Sequence, residues 1–249
     1  MGGITTDLRA GLAFCTRLPV SAPDGARLAD AAWTFPVAGA VAGLIGGAVF
    51  AGCAILDLPA LVSATLAVAA TALATGCLHE DGLADTADGF GGARSAERAV
   101  EIMRDSRIGT YGVVALIVTF LLRIGALASL ASAGAALPAL ALIGAHAGAR
   151  GALPLFMRLV PRARDDGLSA GAGKPTEAAA VKAAAIGLVV ALLCLGLGVT
   201  LVSALLMASA LTLLARMAMK KIGGQTGDVL GTAEQTGEVL ILLAAAAIL

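Results

Sequence analysis

The chain has 249 residues, of which 59% are hydrophobic and only 14% carry a charge. Soluble domains usually contain about 25% charged residues, so this composition excludes an ordinary soluble protein or a disordered one and favours a membrane protein. Lys and Arg together number 17, as do Asp and Glu, so the net charge gives no reason to expect a nucleic-acid partner.

Apolar segments long enough to cross a bilayer, which takes about 20 residues, recur along the chain. We predict an all-α polytopic bundle that forms a single domain over residues 1–249. Its seven transmembrane helices are expected near 36–56, 59–78, 111–132, 136–157, 183–201, 203–219 and 229–249. The fifth and sixth form one apolar stretch that is too long for a single crossing, so we divide it near Val202–Ser203.

Basic residues are distributed unevenly between the two sides of this bundle. All but two of the 17 lie in the N-terminal segment or in the connections that follow the second, fourth and sixth spans; Arg123 and Arg150 lie within spans. The positive-inside rule makes that side cytoplasmic and places the N-terminus there. All acidic residues except Asp57 follow the same side, so we expect a multi-pass protein of the cell (inner) membrane with its active site on the cytoplasmic face.

The densest polar motif, residues 79–92, begins where the second span is expected to meet the cytoplasm. On a helix, Asp81, Asp85 and Asp88 would fall within an arc of about 60°. Three carboxylates on one face repel each other unless a cation compensates, and oxygen ligands suit Mg²⁺ or Mn²⁺. The motif therefore indicates a divalent-metal site for phosphoryl transfer, with a solvated acidic helix end as the alternative. His79 could be a base or a ligand, or a structural residue.

Further polar residues precede the third span. Arg104 and Arg107 could bind phosphate oxygens, and Asp105 lies beside them. The alternative is an amphipathic surface helix with ordinary ion pairs. Within the fourth span, His146 and Arg150 are four residues apart, and intramembrane ionisable residues indicate either function or a structural hydrogen bond.

The last two polar segments lie on either side of the fifth and sixth spans. Residues 167–176, which include Lys174, resemble a phosphate loop but lack its spacing, so we interpret them as a flexible substrate loop or a plain linker. Asp228, Glu234 and Glu238 lie in the first half of the last span. Three acids there are unfavourable in lipid and should face a polar cavity or a metal.

Several of these segments together resemble the cobalamin synthase family, the adenosylcobinamide-GDP ribazoletransferases. Along the chain, and in the same order as in the family, the segments are Thr16–Val20, Phe35–Pro36, Leu78–Gly89, Glu101–Gly112 and Gly224–Gly231. The sequence departs from the family pattern at Glu80, where an apolar residue is expected, and at Cys77, where glycine is common.

The resemblance implies a membrane-embedded, Mg²⁺-dependent enzyme that joins adenosylcobinamide-GDP to α-ribazole, or to its 5′-phosphate, and releases GMP. Combined with the residue pattern, it leads to one expected site. Metal ligands would be Asp81, Asp85, Asp88, Asp228, Glu234 and Glu238; substrate ligands Arg17, Arg104, Arg107 and Lys174; and the general base Asp88, Asp105 or His79. A homo-oligomer is compatible with this expectation.

Two other classes of protein remain as alternatives. A membrane phosphotransferase of the CDP-alcohol type also has an Asp-rich motif, but Asp85 stands where that motif requires Arg. A cation-coupled transporter would carry acids near the bilayer midplane and inverted repeats, whereas the acids here cluster towards one face.

Overall fold

The computed structural model describes residues 3–164 and 166–249, without the side chains of 168–170, and this part of the chain contains helices and no strand. The α-helices are α1 (Ile4–Cys15), α2 (Leu28–Ala31), α3 (Phe35–Ile55), α4 (Ala60–Thr75), α5 (Leu78–Gly92), α6 (Ala96–Met103), α7 (Thr110–Leu130), α8 (Ala136–Leu159), α9 (Gly167–Ala172), α10 (Glu177–Ile222) and α11 (Gly227–Ile248). The prediction of an all-α membrane protein is confirmed. Five helices are long and apolar enough to cross a membrane, or six if α4 and α5 form one broken span. The count of seven and the N-terminal orientation stay predictions.

The second predicted span ends earlier than expected, because the chain bends by 90° between α4 and α5. Gly76 and Cys77 both adopt left-handed backbone conformations, with φ of 67° and 56°. Glycine is needed at the first of them for a second reason: an added Cβ would lie 2.4 Å from Nε of Arg17. The acidic motif is therefore a helix of its own, which leaves the axis of the span before it.

The long apolar stretch of α10 is divided at Gly196, where φ is 76° and ψ is 173°. The predicted division at Val202–Ser203 was therefore wrong in its position, because only glycine adopts this backbone conformation without steric strain. The half before Gly196 runs antiparallel to α8, as Gly144 contacts Leu195 and Gly151 contacts Ala183. The half after it runs in the same direction as α8, since Met207 and Ala149 both lie against Gly237 whereas Ala215 lies near Val160, so α10 is a helical hairpin.

Close backbone contacts hold the central helices together. A Cβ added to Gly43 of α3 would lie 2.5 Å from the carbonyl oxygen of Leu142 in α8, and one added to Gly39 would lie 2.2 Å from that of His146. Such small-residue contacts are typical of helix packing in lipid, where dispersion replaces the hydrophobic effect. Large apolar side chains point outwards instead, as Leu193 and Leu205 of α10 show with exposed fractions of 79% and 71%.

Candidate functional site: an aspartate cluster at the crossing of two helices

Helices α5 and α11 cross at glycines, so that their backbones touch. A Cβ added to Gly82 would lie 2.9 Å from the Cα of Asp228, and one added to Gly231 would lie 3.0 Å from the carbonyl oxygen of His79. The hydroxyl of Thr232 donates a hydrogen bond of 3.3 Å to the carbonyl oxygen of Gly82 across the same contact. This crossing places Asp228 beside the acidic face of α5.

Asp85 lies at the centre of the resulting aspartate cluster, which we define as Asp81, Asp85 and Asp228. Its charged neighbours are Asp81, Asp228 and Asp88, all of them negative. Asp81 is exposed, whereas Asp85 and Asp228 are half-buried. Three carboxylates in such surroundings favour a bound cation, and their oxygen atoms fit a hard divalent ion. Among the described side chains, however, these carboxylates do not bring three oxygens within 4.8 Å of one another.

Asp88 shares the acidic face but performs another task. Its Oδ2 accepts a hydrogen bond from the backbone N–H of Gly109 at 2.7 Å, and its Oδ1 accepts one from the N–H of Gly112 at 2.9 Å. These are N–H groups at the start of α7, which have no partner within that helix. Asp88 therefore anchors α7 on α5, and this contact uses both oxygens that we had expected to bind metal or to act as a base.

Arg164, which is not among the residues predicted for the site, reaches the aspartate cluster from the connection between α8 and α10. Its Nη2 lies 3.6 Å from Oδ2 of Asp228, and its side chain is 20% exposed. Two backbone hydrogen bonds hold this connection at the start of α11: the N–H of Ala163 donates to the carbonyl oxygen of Gln225, and the N–H of Gln225 donates to that of Pro161. No spacing in the sequence distinguishes Arg164 from the other basic residues of this connection, so only the fold could identify it.

The other predicted substrate ligands lie around or away from this cluster. Arg104 pairs with Asp166, whose other oxygen is 3.5 Å from Nε of Arg164, so Arg104 belongs to the rim of the site. Lys174 is exposed, and among the described residues its side chain has no hydrogen bond or ion pair with the aspartate cluster. Arg17 is exposed against the α4–α5 bend, where its backbone N–H donates to Ala74.

Asp105 binds its neighbour rather than the aspartate cluster. Its Oδ2 accepts a hydrogen bond of 2.6 Å from Nη2 of Arg107, and its Oδ1 accepts one from the Arg107 backbone N–H. These hydrogen bonds, with the charge of Arg107, lower the pKa of Asp105 to about 2. A carboxylate that is held ionised in this way is a weak base, which argues against the catalytic role that we had expected for it.

Glu234, Glu238 and His79 lie in a second cluster, away from the aspartates. On α11, Glu234 and Glu238 follow Asp228 by six and ten residues, which places them about 9 and 15 Å further along the axis and on another face. The six acids that we expected around one metal are therefore divided between two places. The prediction of a single acidic metal site with Glu234 and Glu238 as ligands does not agree with this arrangement.

The second cluster is a buried ion-pair network that joins α5, α7, α8 and α11. Arg123 contacts Glu80 at 3.0 Å and Glu238 at 2.7 Å, and both of its partners are almost completely buried. The departure from the family pattern at Glu80 is thus explained by a buried partner. Gln235 links the two halves of the network, because its amide donates to Glu80 and to Glu234.

Arg150 provides the second positive charge of this network. It pairs with Glu234, and its Nη1 and Nη2 lie 2.8 Å from His146 and 3.2 Å from His79, respectively. His146, Glu234 and Glu238 bring three ligand atoms within 4.8 Å. A metal ion there would be repelled by both arginines, so we interpret this network as structural.

Comparisons with known proteins agree with the resemblance in the sequence. A model of the family described as cobalamin-5-phosphate synthase matches residues 7–246. A protein of Bradyrhizobium diazoefficiens named adenosylcobinamide-GDP ribazoletransferase is 54% identical over 248 residues, which cover 98% of this chain and 94% of that protein. Proteins of the same name from Mesorhizobium japonicum and Azorhizobium caulinodans are each 46% identical, over 97% and 96% of this chain and 93% and 95% of their own lengths. No solved structure matches.

Proposed function

Because the chain belongs to the cobalamin-5-phosphate synthase family, we propose that it is an adenosylcobinamide-GDP ribazoletransferase. In this reaction a hydroxyl of α-ribazole, or of its 5′-phosphate, attacks the phosphorus nearest the cobinamide, and GMP leaves. We place the reaction at the crossing of α5 and α11, because this crossing brings Asp81, Asp85 and Asp228 together beside Arg164.

The aspartate cluster is the place that we propose for Mg²⁺. Asp81, Asp85 and Asp228 would hold it, since their oxygen atoms suit this ion and like charges surround Asp85. When bound, the ion would neutralise the diphosphate of the substrate. The three carboxylates are neighbours, but their oxygen atoms do not converge on one point. Mutual repulsion would keep them apart in this way, and a shared cation would draw them together.

The chain's own residues would mainly position the two substrates, because GMP is a good leaving group. Arg164 and Arg104 face the rim of the aspartate cluster and are placed to bind phosphate oxygens. Asp88 holds the start of α7 against α5 and thereby orients the helix that carries Asp85. We propose a positioning role for Asp88 in place of a catalytic one.

The proposed activity is tested with the purified protein in detergent, supplied with adenosylcobinamide-GDP, α-ribazole and MgCl₂. We expect adenosylcobalamin and GMP as products by liquid chromatography and mass spectrometry, and loss of turnover on chelation. Asp85→Asn should abolish turnover, whereas Asp57→Asn, a matched change on an exposed turn away from the site, should retain it. Production of neither compound by the folded wild-type protein would reject the assignment.

We also propose that the site faces the cytoplasm and that the protein lies in the inner membrane. The support is the concentration of basic residues on the side of the aspartate cluster. Single cysteines at Arg98 and Asp57, introduced into a variant whose four native cysteines, including the exposed Cys77, are replaced by serine, distinguish the two orientations. A membrane-impermeant maleimide applied to intact spheroplasts should label the second position and spare the first, and the opposite pattern would reverse the orientation.

A further inference from the structure

An apolar cavity of about 530 Å³ lies between α8 and the two halves of the α10 hairpin. Its wall includes Gly151 and Leu155 of α8, Leu188 before the hairpin turn, and Met207 and Leu211 after it. Leu188 is 49% exposed, so the cavity opens to the surface that faces lipid. The space exists because the hairpin halves pack against α8 and do not close on each other at this level.

The few hydroxyl groups in this wall already have partners. Thr200 donates to the carbonyl oxygen of Gly196, Ser203 to that of Thr200, and Thr212 to that of Ala208, all within α10. A polar or aqueous occupant would therefore find no free donor from these side chains. The cavity is suited to an apolar chain.

Two positive charges mark one end of this cavity. It continues past Leu159 and Val160 into a surface groove lined by Arg216, Met219 and Lys220. Arg216 and Lys220 are exposed and four residues apart, so they share one face of α10. Neither has a carboxylate within 4.0 Å in the part of the chain that the structure describes. Two neighbouring cations without such a partner favour a bound anion.

We propose that this cavity and groove bind an anionic phospholipid, with an acyl chain in the cavity and the phosphate between Arg216 and Lys220. From Ala215 to Ser203, α10 rises about 18 Å, which matches the roughly 15 Å of one leaflet of a bilayer. Both basic residues lie on the side predicted to be cytoplasmic, where anionic lipids attract basic groups between helices.

Charge favours a lipid over a second copy of the chain. A two-fold contact through this surface would bring the same patch of both copies together. Arg216 and Lys220 of one copy would then lie near the same two residues of the other copy, and these like charges would repel each other. A lipid with a negative headgroup and an apolar tail satisfies both parts of the surface at once. The proposal is independent of the reaction at the aspartate cluster.

Native mass spectrometry of the full chain in detergent tests the proposal, with phosphatidylglycerol and phosphatidylcholine of identical acyl chains as probes. We expect the wild-type protein to prefer phosphatidylglycerol. Arg216→Gln with Lys220→Gln should lower its affinity for that lipid by about 30-fold, and its affinity for phosphatidylcholine, whose choline offsets the phosphate charge, by a much smaller factor. Ala208→Phe, which fills the cavity, should lower the binding of both lipids.

Two control variants separate a site from a general effect of charge or folding. Arg27→Gln with Lys182→Gln removes two exposed positive charges outside the groove and should keep the preference. Arg216→Lys with Lys220→Arg keeps both charges and should also keep it. The proposal is overturned if wild type does not discriminate between the lipids, if the first control loses as much as the test variant, or if a lipid-free dimer is the species observed.

Discussion

Removal of Arg123 should destabilise the protein more than removal of any exposed arginine. Its guanidinium is fully buried and contacts Glu80 at 3.0 Å, Glu238 at 2.7 Å and the hydroxyl of Thr71 at 3.2 Å. In Arg123→Met, two carboxylates remain in the bundle without this cation. Breaking a buried ion pair by removing one partner typically costs about 3–5 kcal/mol, because an uncompensated charge stays in a medium of low dielectric.

A thermal melt in detergent measures this effect, and the expected decrease in Tm is about 10 °C, at roughly 2–4 °C per kcal/mol for a chain of this size. Arg98→Met is the matched control: Arg98 pairs with Glu101, but both side chains are more than half exposed, so its loss should cost about 0–1 kcal/mol. The two Tm values should therefore differ clearly. Equal values would refute the interpretation of the cluster as a structural ion-pair network.

A compensating variant sharpens the test. The network contains three glutamates and two arginines, so Arg123→Met adds one uncompensated negative charge, and Glu80→Met in the same chain removes it again. Because Gln235 would lose one acceptor but keep Glu234, the double variant should regain part of the lost Tm. A double variant that is less stable than Arg123→Met would show that charge balance is not what Arg123 provides.

Three further predictions concern the site and its surroundings. Gly82→Ala should separate α5 from α11 and reduce turnover at least tenfold, whereas Gly52→Ala, where a Cβ meets nothing within 4 Å, should leave the rate unchanged in the same assay. Because the pKa of Asp105 is lowered from about 4 in the unfolded chain to about 2, its ionised carboxylate contributes fully to stability above about pH 4, and this contribution is lost only as the pH falls through about 2. Asp105 therefore keeps one charge between pH 5 and 9, and over this range the pH–rate profile of Asp105→Asn should have the same shape as that of the wild type. A shifted acidic limb in the variant would contradict this. Asp88→Asn keeps one acceptor oxygen for two backbone N–H groups at the start of α7, so their hydrogen exchange should quicken by about tenfold while exchange at the centre of α8 stays unchanged.

The features that could be predicted from the amino-acid sequence are those that depend on local pattern. Hydropathy indicated the membrane class and, within a few residues, most of the long helices, because each must satisfy its backbone within one apolar segment. The spacing of Asp81 and Asp85 placed both on one face of α5, since helical periodicity is local. The same periodicity also separates Asp228 from Glu234 and Glu238 on α11, so the division of these acids between two clusters was predictable as well.

Which polar groups meet depended instead on the packing of helices that are distant in the chain. Asp88 binds the start of α7, Arg164 reaches Asp228 from a connection 64 positions earlier in the chain, and Arg123 pairs with Glu80 and Glu238. The turn at Gly196 was likewise hidden inside an uninterrupted apolar run. Close glycine contacts bring these helices together, and a buried carboxylate then takes whichever N–H group or cation the neighbouring helix brings into reach.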